Sequence, residues 1–292
     1  MATQLPAWLT TWDLRLDVSV YLAVAGLLFT SGWIRLRRRG QQRLATGWRL
    51  GCYWSGLVLL GLALMSALDV FGGQLFFVHM LQHLVMVMII PPLLWLANPF
   101  PFVIWGLPER KRIGEWLFAS RSRFRRALRA ATRPAIVWFT FVALLWGWHD
   151  PTLYSAAQGP SWLHDLEHLT LFGAAMLSWW QTIGAGPRLH KRLSPLARVG
   201  YLVATAGANM IPGVIIALAD VPLYPYYVNV PRLWGLSVMQ DQVLSGIIMW
   251  IPGTMMYLLA ALIIILRMLN RFEAQAVRER RLQPIGIEPG RP

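Results

Sequence analysis

Apolar positions in this chain neither alternate like half-buried strands nor form the narrow stripes of surface helices. They gather into runs of about 17–25 residues, the length an α-helix needs to cross the hydrocarbon core of a bilayer. The runs fall at about 17–34, 49–68, 74–97, 134–149, 162–183, 199–219 and 241–266. This pattern predicts an all-α integral membrane protein, a bundle of seven transmembrane helices over 17–266. A short segment 1–16 precedes the bundle, and a basic tail 267–292, rich in Glu, Gln, Arg and proline, reads as a mobile end. The third run contains Pro91-Pro92, which predicts a kink near Pro91, because membrane helices tolerate proline where neighbours satisfy the freed carbonyls. The fourth run is short. Asn209 and Pro212 mark a packed polar contact and a kink in the sixth.

Composition agrees with the pattern. Of 292 residues 56% are hydrophobic and only 14% charged, against about a quarter charged in soluble domains. Many of the 16 tryptophans lie near run ends, where an amphipathic ring suits the membrane interface. The net charge of +14 invites a nucleic-acid reading, but the charges are sorted by loop. With alternating crossings, segments 35–49, 99–133, 184–198 and 267–292 share one side and hold 25 of the 27 Lys and Arg. Only Arg15 and Arg232 lie opposite. The positive-inside rule makes the basic side cytoplasmic, with the N-terminus outside and the C-terminus inside. The basic balance therefore expresses topology and implies no nucleic-acid partner. The stretch 109–133, with nine Lys and Arg, reads as a solvated loop or as an amphipathic helix on anionic headgroups. A cleavable signal peptide is not expected, since positive charge follows the first apolar run instead of preceding it. One cysteine, Cys52, excludes an intramolecular disulfide or a paired-cysteine metal site.

The topology places His79, His83, His149, His164 and His168 at the outer ends of the third, fourth and fifth runs; His190 alone is cytoplasmic. Eight of the thirteen acids share that outer face, which can attract cations. His79/His83 and His164/His168 are each four residues apart, so each pair can aim two imidazoles at one point from one helix face. Met86, seven residues beyond His79, extends the first stripe. Imidazole suits copper, zinc and iron, and a thioether favours Cu(I). His149 can supply a further nitrogen. Asp165, Glu167 and Asp241 are candidates to orient ligand histidines through their second ring nitrogen, and Asp241 equally to cap a helix start. Several chemistries remain open on spacing alone. A di-iron oxygenase or metal hydrolase uses paired histidines, although HExxH is absent. One bis-histidine haem fits the count, and a transporter would use the histidines as a mouth, without an internal repeat to support it.

Four motifs in order, HMLQHLVMVMIIPPLLWLANP at 79–99, WHDPTLY at 148–154, LHDLEHLTLFGAAMLSWW at 163–180 and DQVLSGIIMWIPGTMMYL at 241–258, resemble the CtaG-type cytochrome c oxidase assembly proteins. The resemblance covers about 70–266. It implies a seven-helix bacterial inner-membrane protein that matures a haem-copper oxidase by supplying copper, and is not itself an enzyme. Carried over by position, His79, His83, His149, His164 and His168 are implied ligands, and Asp241 their support. Asp150 stands where an apolar residue is expected. The implied mechanism takes Cu(I) from a periplasmic donor, binds it between the third, fourth and fifth helices with help from Met86, and passes it by ligand exchange to the oxidase catalytic subunit. The unrelated single-span copper chaperone that shares the name carries cysteine ligands, which this chain lacks.

Overall fold

The computed structural model describes residues 12–108, 123–187 and 189–282. Among them every regular element is helical: α1 Leu16–Arg38, α2 Gly47–Met65, α3 Ala67–Gly72, α4 Phe76–Leu96, α5 Pro99–Gly106, α6 Arg123–Ala131, α7 Pro134–Trp148, α8 Pro151–Ala157, α9 Ser161–Ile183, α10 Pro195–Leu218, α11 Pro225–Asn229 and α12 Val238–Leu282. Five helices are long and apolar enough to cross a membrane, namely α1, α2, α4, α10 and α12; α6 and α7, bent by 59°, make a sixth if they count as one span. The chain is therefore a multi-pass membrane protein. The remaining expected crossing, the fifth run, forms α9, which has 23 residues but is not among these spans. His164, Asp165, Glu167 and His168 crowd its first turns, and Gln181 lies in its last, so the residues that give it chemistry lower its hydropathy.

Local sequence explains the ends and bends. Arg35, Arg37 and Arg38 close α1, where cations complement the negative end of the helix dipole. Pro91 lacks the N–H that would bond Val87 O four residues back. The helix answers with a π turn over Val85–Ile89 and runs on to Leu96. The freed Val87 carbonyl accepts the Trp179 indole N–H at 2.9 Å. Pro212 in α10 is handled alike: the Ala208 carbonyl it frees accepts the Trp146 indole N–H at 2.9 Å. Two tryptophans thus repair backbone that proline opens, Trp179 buried within the bundle and Trp146 exposed on its flank.

Three segments depart from expectation. The stretch after α4, expected as loop, contains α5, which folds back onto α1. A Cβ at Gly32 would meet Phe102 O at 1.8 Å and one at Gly106 would meet Leu28 O at 2.1 Å, so only glycine permits this approach. The basic stretch forms the exposed helix α6 over its second part; residues 109–122 lie outside the described ones. The expected mobile tail instead continues α12 to Leu282, because Glu, Ala, Gln and Arg are strong helix formers; residues 283–292, like 1–11, lie outside the described residues.

Packing centres on two clusters. One joins α4, α7, α9, α10 and α12 around Phe76, Met80, Met88, Phe141, Trp179 and Tyr257. The other joins α1, α2, α5 and the far half of α4 around Phe29, Tyr53, Leu57, Met86 and Phe102. Within lipid, close backbone approach stabilises helix pairs. In the α10–α12 pair, a Cβ at Gly246 would meet Ala217 N at 2.4 Å and one at Gly213 would meet Trp250 N at 2.8 Å.

Candidate metal centre

Helix α4 is held in register from outside itself. Its first turn exposes backbone N–H groups without intrahelical partners, and Asp241, in the first turn of α12, accepts from Phe76 N at 3.0 Å and Phe77 N at 2.9 Å. Arg232 pairs with the same carboxylate at 3.0 Å. Asp241 is only 1% exposed and bonds to no histidine among the described residues: of its two expected roles, the cap is the one the geometry fills. Gln82 fixes the opposite side, donating to Ala63 O and Asp69 Oδ1, both at 2.8 Å. Burial raises the Asp69 carboxyl above its usual range, with the Gln82 donor opposing.

Helix α9 is tied at its start by Arg15, whose guanidinium forks onto Asp165, with one bond at 2.9 Å, and also reaches Asp17 at 3.1 Å. The two carboxylates, Asp165 first, raise the Arg15 pKa. Asp165, expected beside a histidine, therefore faces the N-terminal side of α1. Spacing alone does not separate the two acids, since Asp165 is three before His168; the Arg15 fork draws Asp165 outward. Glu167 is three beyond His164 and shares its face.

With these helices in place, four imidazoles and one carboxylate converge. Ring centroids are 4.2 Å apart for His79–His83, 4.3 Å for His164–His168, 5.1 Å for His83–His168, 5.5 Å for His79–His164 and 5.6 Å for His79–His168. Glu167, expected as an outer support, lies inside the group: its Oε1 is 3.5 Å from His79 Nε2 and 3.6 Å from His83 Nε2. The signal for it was the HDLEH spacing itself, which puts His164, Glu167 and His168 on one face. His79, His83, Glu167 and His168 are all buried, and His164 half-buried. His149 stands at the edge, its ring 6.2 Å from His83. Its Nδ1 is 2.6 Å from Leu145 O, which leaves Nε2 with the lone pair once Nδ1 donates, the arrangement that orients a ligand histidine. Met86 is not brought to the group and packs in the cluster with Phe29 and Tyr53. The π turn explains this, since it breaks the seven-residue repeat from His79.

A wall that sequence reasoning missed closes one side. Tyr154 packs edge-on to His79 at 5.3 Å, its hydroxyl 2.8 Å from that of Tyr227, which donates to Gly72 O. Tyr224 donates to the His149 carbonyl at 2.8 Å. Asp150, in the WHDPTLY motif, caps α8 by accepting from Thr152 N and Leu153 N. The acids expected to form an anionic face are thus largely engaged: Arg15 takes Asp17 and Asp165, Arg232 takes Asp241, and Asp150 and Asp69 take neutral donors. His190 stands apart, 3.0 Å from Thr132 Oγ1.

The group has the chemistry of a metal-binding set. Both ring nitrogens of His79 and His83, both Glu167 oxygens and His168 Nε2 are buried with no hydrogen-bond partner among the described residues. Buried polar atoms are ordinarily satisfied, so this concentration of orphaned nitrogen and oxygen marks a group that could hold a metal ion. Ligand atoms of His79, His164 and His168, and of His79, His83 and Glu167, lie within 4.8 Å of one another. Ligands around a tetrahedral ion with bonds of about 2 Å lie about 3.3 Å apart, so closure needs about 1.5 Å at most.

Residues 27–271 match the model of the cytochrome c oxidase caa3 assembly factor family, and the chain belongs to that family. It is 24% identical over 282 residues, 93% of this chain, to an uncharacterized protein of Mycobacterium leprae. Over 252 residues, 83% of this chain, it is 26% identical to uncharacterized proteins of Mycobacterium bovis and Mycobacterium tuberculosis. The match spans 41% of the first relative and 37% of the other two. No solved structure matches.

Proposed function

We propose that this caa3 assembly factor carries copper, as Cu(I), on the imidazole and carboxylate group of α4 and α9 and hands it to the catalytic subunit of a haem-copper oxidase. The single observation that carries the reading is the convergence of His79, His83, His164, His168 and Glu167 with most of their ligand atoms buried and unbonded. Family membership supports the oxidase as recipient. His149 joins as a peripheral ligand, Asp241 acts by holding α4, and Asp165 acts by holding α9.

The reading includes seven crossings: the five apolar helices, the bent α6–α7 pair and α9. Alternating crossings put the basic segments on one side, the odd number puts the termini on opposite sides, and the positive-inside rule then turns the histidine end to the periplasm of a bacterial inner membrane. A periplasmic donor would load the site there. Glu167 and His164 lie where α9 begins, so the ion meets the group from that end, and transfer proceeds by ligand exchange with no turnover chemistry. The bundle holds 1–16 outside and 267–292 inside.

The test is the metal content of detergent-purified protein after anaerobic Cu(I) loading, against His164→Ala/His168→Ala, with the visible spectrum recorded. Stoichiometric copper lost in the variant is expected. Equal copper in both proteins, or none in either, overturns the site; a Soret band moves the histidines to haem.

A further inference from the structure

Beneath His83 and His149 lies a cavity of about 30 Å³, lined by Met80, Met88 and Met249 together with Asn209 and those two histidines. We propose that it is a second metal seat, thioether-rich and selective for a soft monovalent cation, which an ion reaches from the histidine–glutamate group through His83. The inference rests on the reading of that group as metal-binding and deepens it by giving the ion a further station inside the bundle.

Three observations carry the placement. The cavity has room for one small occupant, since a single water needs about 10–15 Å³ by the same kind of measure. Its three methionines come from two helices, α4 and α12, and all are buried. Thioethers favour Cu(I) and its analogue Ag(I) over zinc or harder ions, and they carry no proton to compete. His83 belongs to both places, because it lines the cavity and its Nε2 lies 3.6 Å from Glu167. An ion can therefore exchange ligands through one side chain without leaving the protein.

The third observation is register. Met80, His83, Leu84, Val87 and Met88 of α4 all line the cavity, the three- and four-residue spacing that keeps one helix face together, while Met86 packs in the cluster on the other side. Across the cavity Asn209 donates to the Met249 carbonyl at 2.9 Å, which holds α12 at this level, and Gly253 leaves room for that amide, since a Cβ there would meet it at 2.8 Å.

The experiment compares Ag(I) and Zn(II) retained by the full chain in a Cys52→Ser background, counted after desalting. Zn(II) reports the histidine group alone, Ag(I) both seats. The inference expects one more Ag(I) than Zn(II), and expects Met88→Leu/Met249→Leu, a swap that nearly conserves volume, to lose that one Ag(I) while keeping its Zn(II). X-ray absorption of the Ag(I)-loaded parent should show sulfur neighbours, a readout that needs no variant to fold. Equal counts of the two ions in the parent, an undiminished Ag(I) excess in the methionine variant, or only nitrogen and oxygen neighbours overturn the second seat and leave the histidine group standing. Zn(II) that persists unchanged in His79→Ala/His168→Ala overturns the histidine reading, and this inference with it.

Discussion

Replacing Asp241 tests whether the site is held from outside α4. The carboxylate accepts two backbone N–H bonds at the start of that helix and pairs with Arg232. Asp241→Ala removes all three interactions at once. A buried hydrogen bond to a charged group is worth about 1.5–3 kcal/mol, and an N-terminal cap about 0.5–2 kcal/mol. Removing one partner of a fully buried pair costs about 3–5 kcal/mol, but the Arg232 side chain is 23% exposed and regains water, which discounts that contribution. The expected loss is about 3–4 kcal/mol for alanine. Asp241→Asn keeps one acceptor oxygen and should lose about half of that. Arg232→Ala leaves the cap and should lose about 1 kcal/mol. The assay is reversible unfolding in mixed micelles, read by helix signal, with Zn(II) affinity measured on the same samples. Stability should fall in the order Arg232→Ala, Asp241→Asn, Asp241→Ala. Affinity should weaken with it, because His79 sits three residues beyond the capped Phe76. If Asp241→Ala unfolds within about 1 kcal/mol of the parent and binds Zn(II) equally well, the cap does not position α4 and the reasoning fails.

Glu167→Gln is isosteric and should leave folding intact while weakening Zn(II) at least about tenfold, at the low end of what even outer-shell partners contribute; affinity within threefold would place Glu167 outside the ligand set. Gly246→Ala forces a Cβ to within 2.4 Å of Ala217 N and should destabilise by about 1–3 kcal/mol, whereas Gly147→Ala, with nothing within 4 Å, should gain up to about 1 kcal/mol from helix propensity; equal effects in micelle unfolding would refute the close α10–α12 approach. Trp179→Phe strips the donor from the carbonyl that Pro91 frees, with an expected cost of about 1–3 kcal/mol, and Trp179→Phe combined with Pro91→Ala should recover part of it because the new N–H restores a partner; a double variant no more stable than the single one argues against the repair.

Much of the architecture was legible because lipid imposes a simple rule: a crossing helix must be a long apolar run. Boundaries near Leu16, Gly47, Pro134, Ser161 and Pro195 follow from that rule together with capping and proline chemistry. The rule reads α9 less well, because the residues that give the helix its chemistry dilute its hydropathy. It is silent on α5, which packs on α1 through glycines instead of crossing, and on the continuation of α12 past its apolar part, where propensity alone sustains the helix.

Paired imidazoles on each of two helices are a consequence of spacing alone, since a four-residue step returns to one face whatever surrounds it. The sorting of the basic residues into alternate segments is likewise a property of the linear chain. Which neighbours share those faces depends on how the helices pack. Glu167 turns in and Asp165 turns out because Arg15, far off in the chain, takes the latter. Met86 joins Phe29 and Tyr53 in one cluster while Met88 faces a cavity shared with Met249. Asp241 serves a helix start that is not its own. In each case the deciding contact joins residues remote in sequence, and helical periodicity, which is local, carries no information about it.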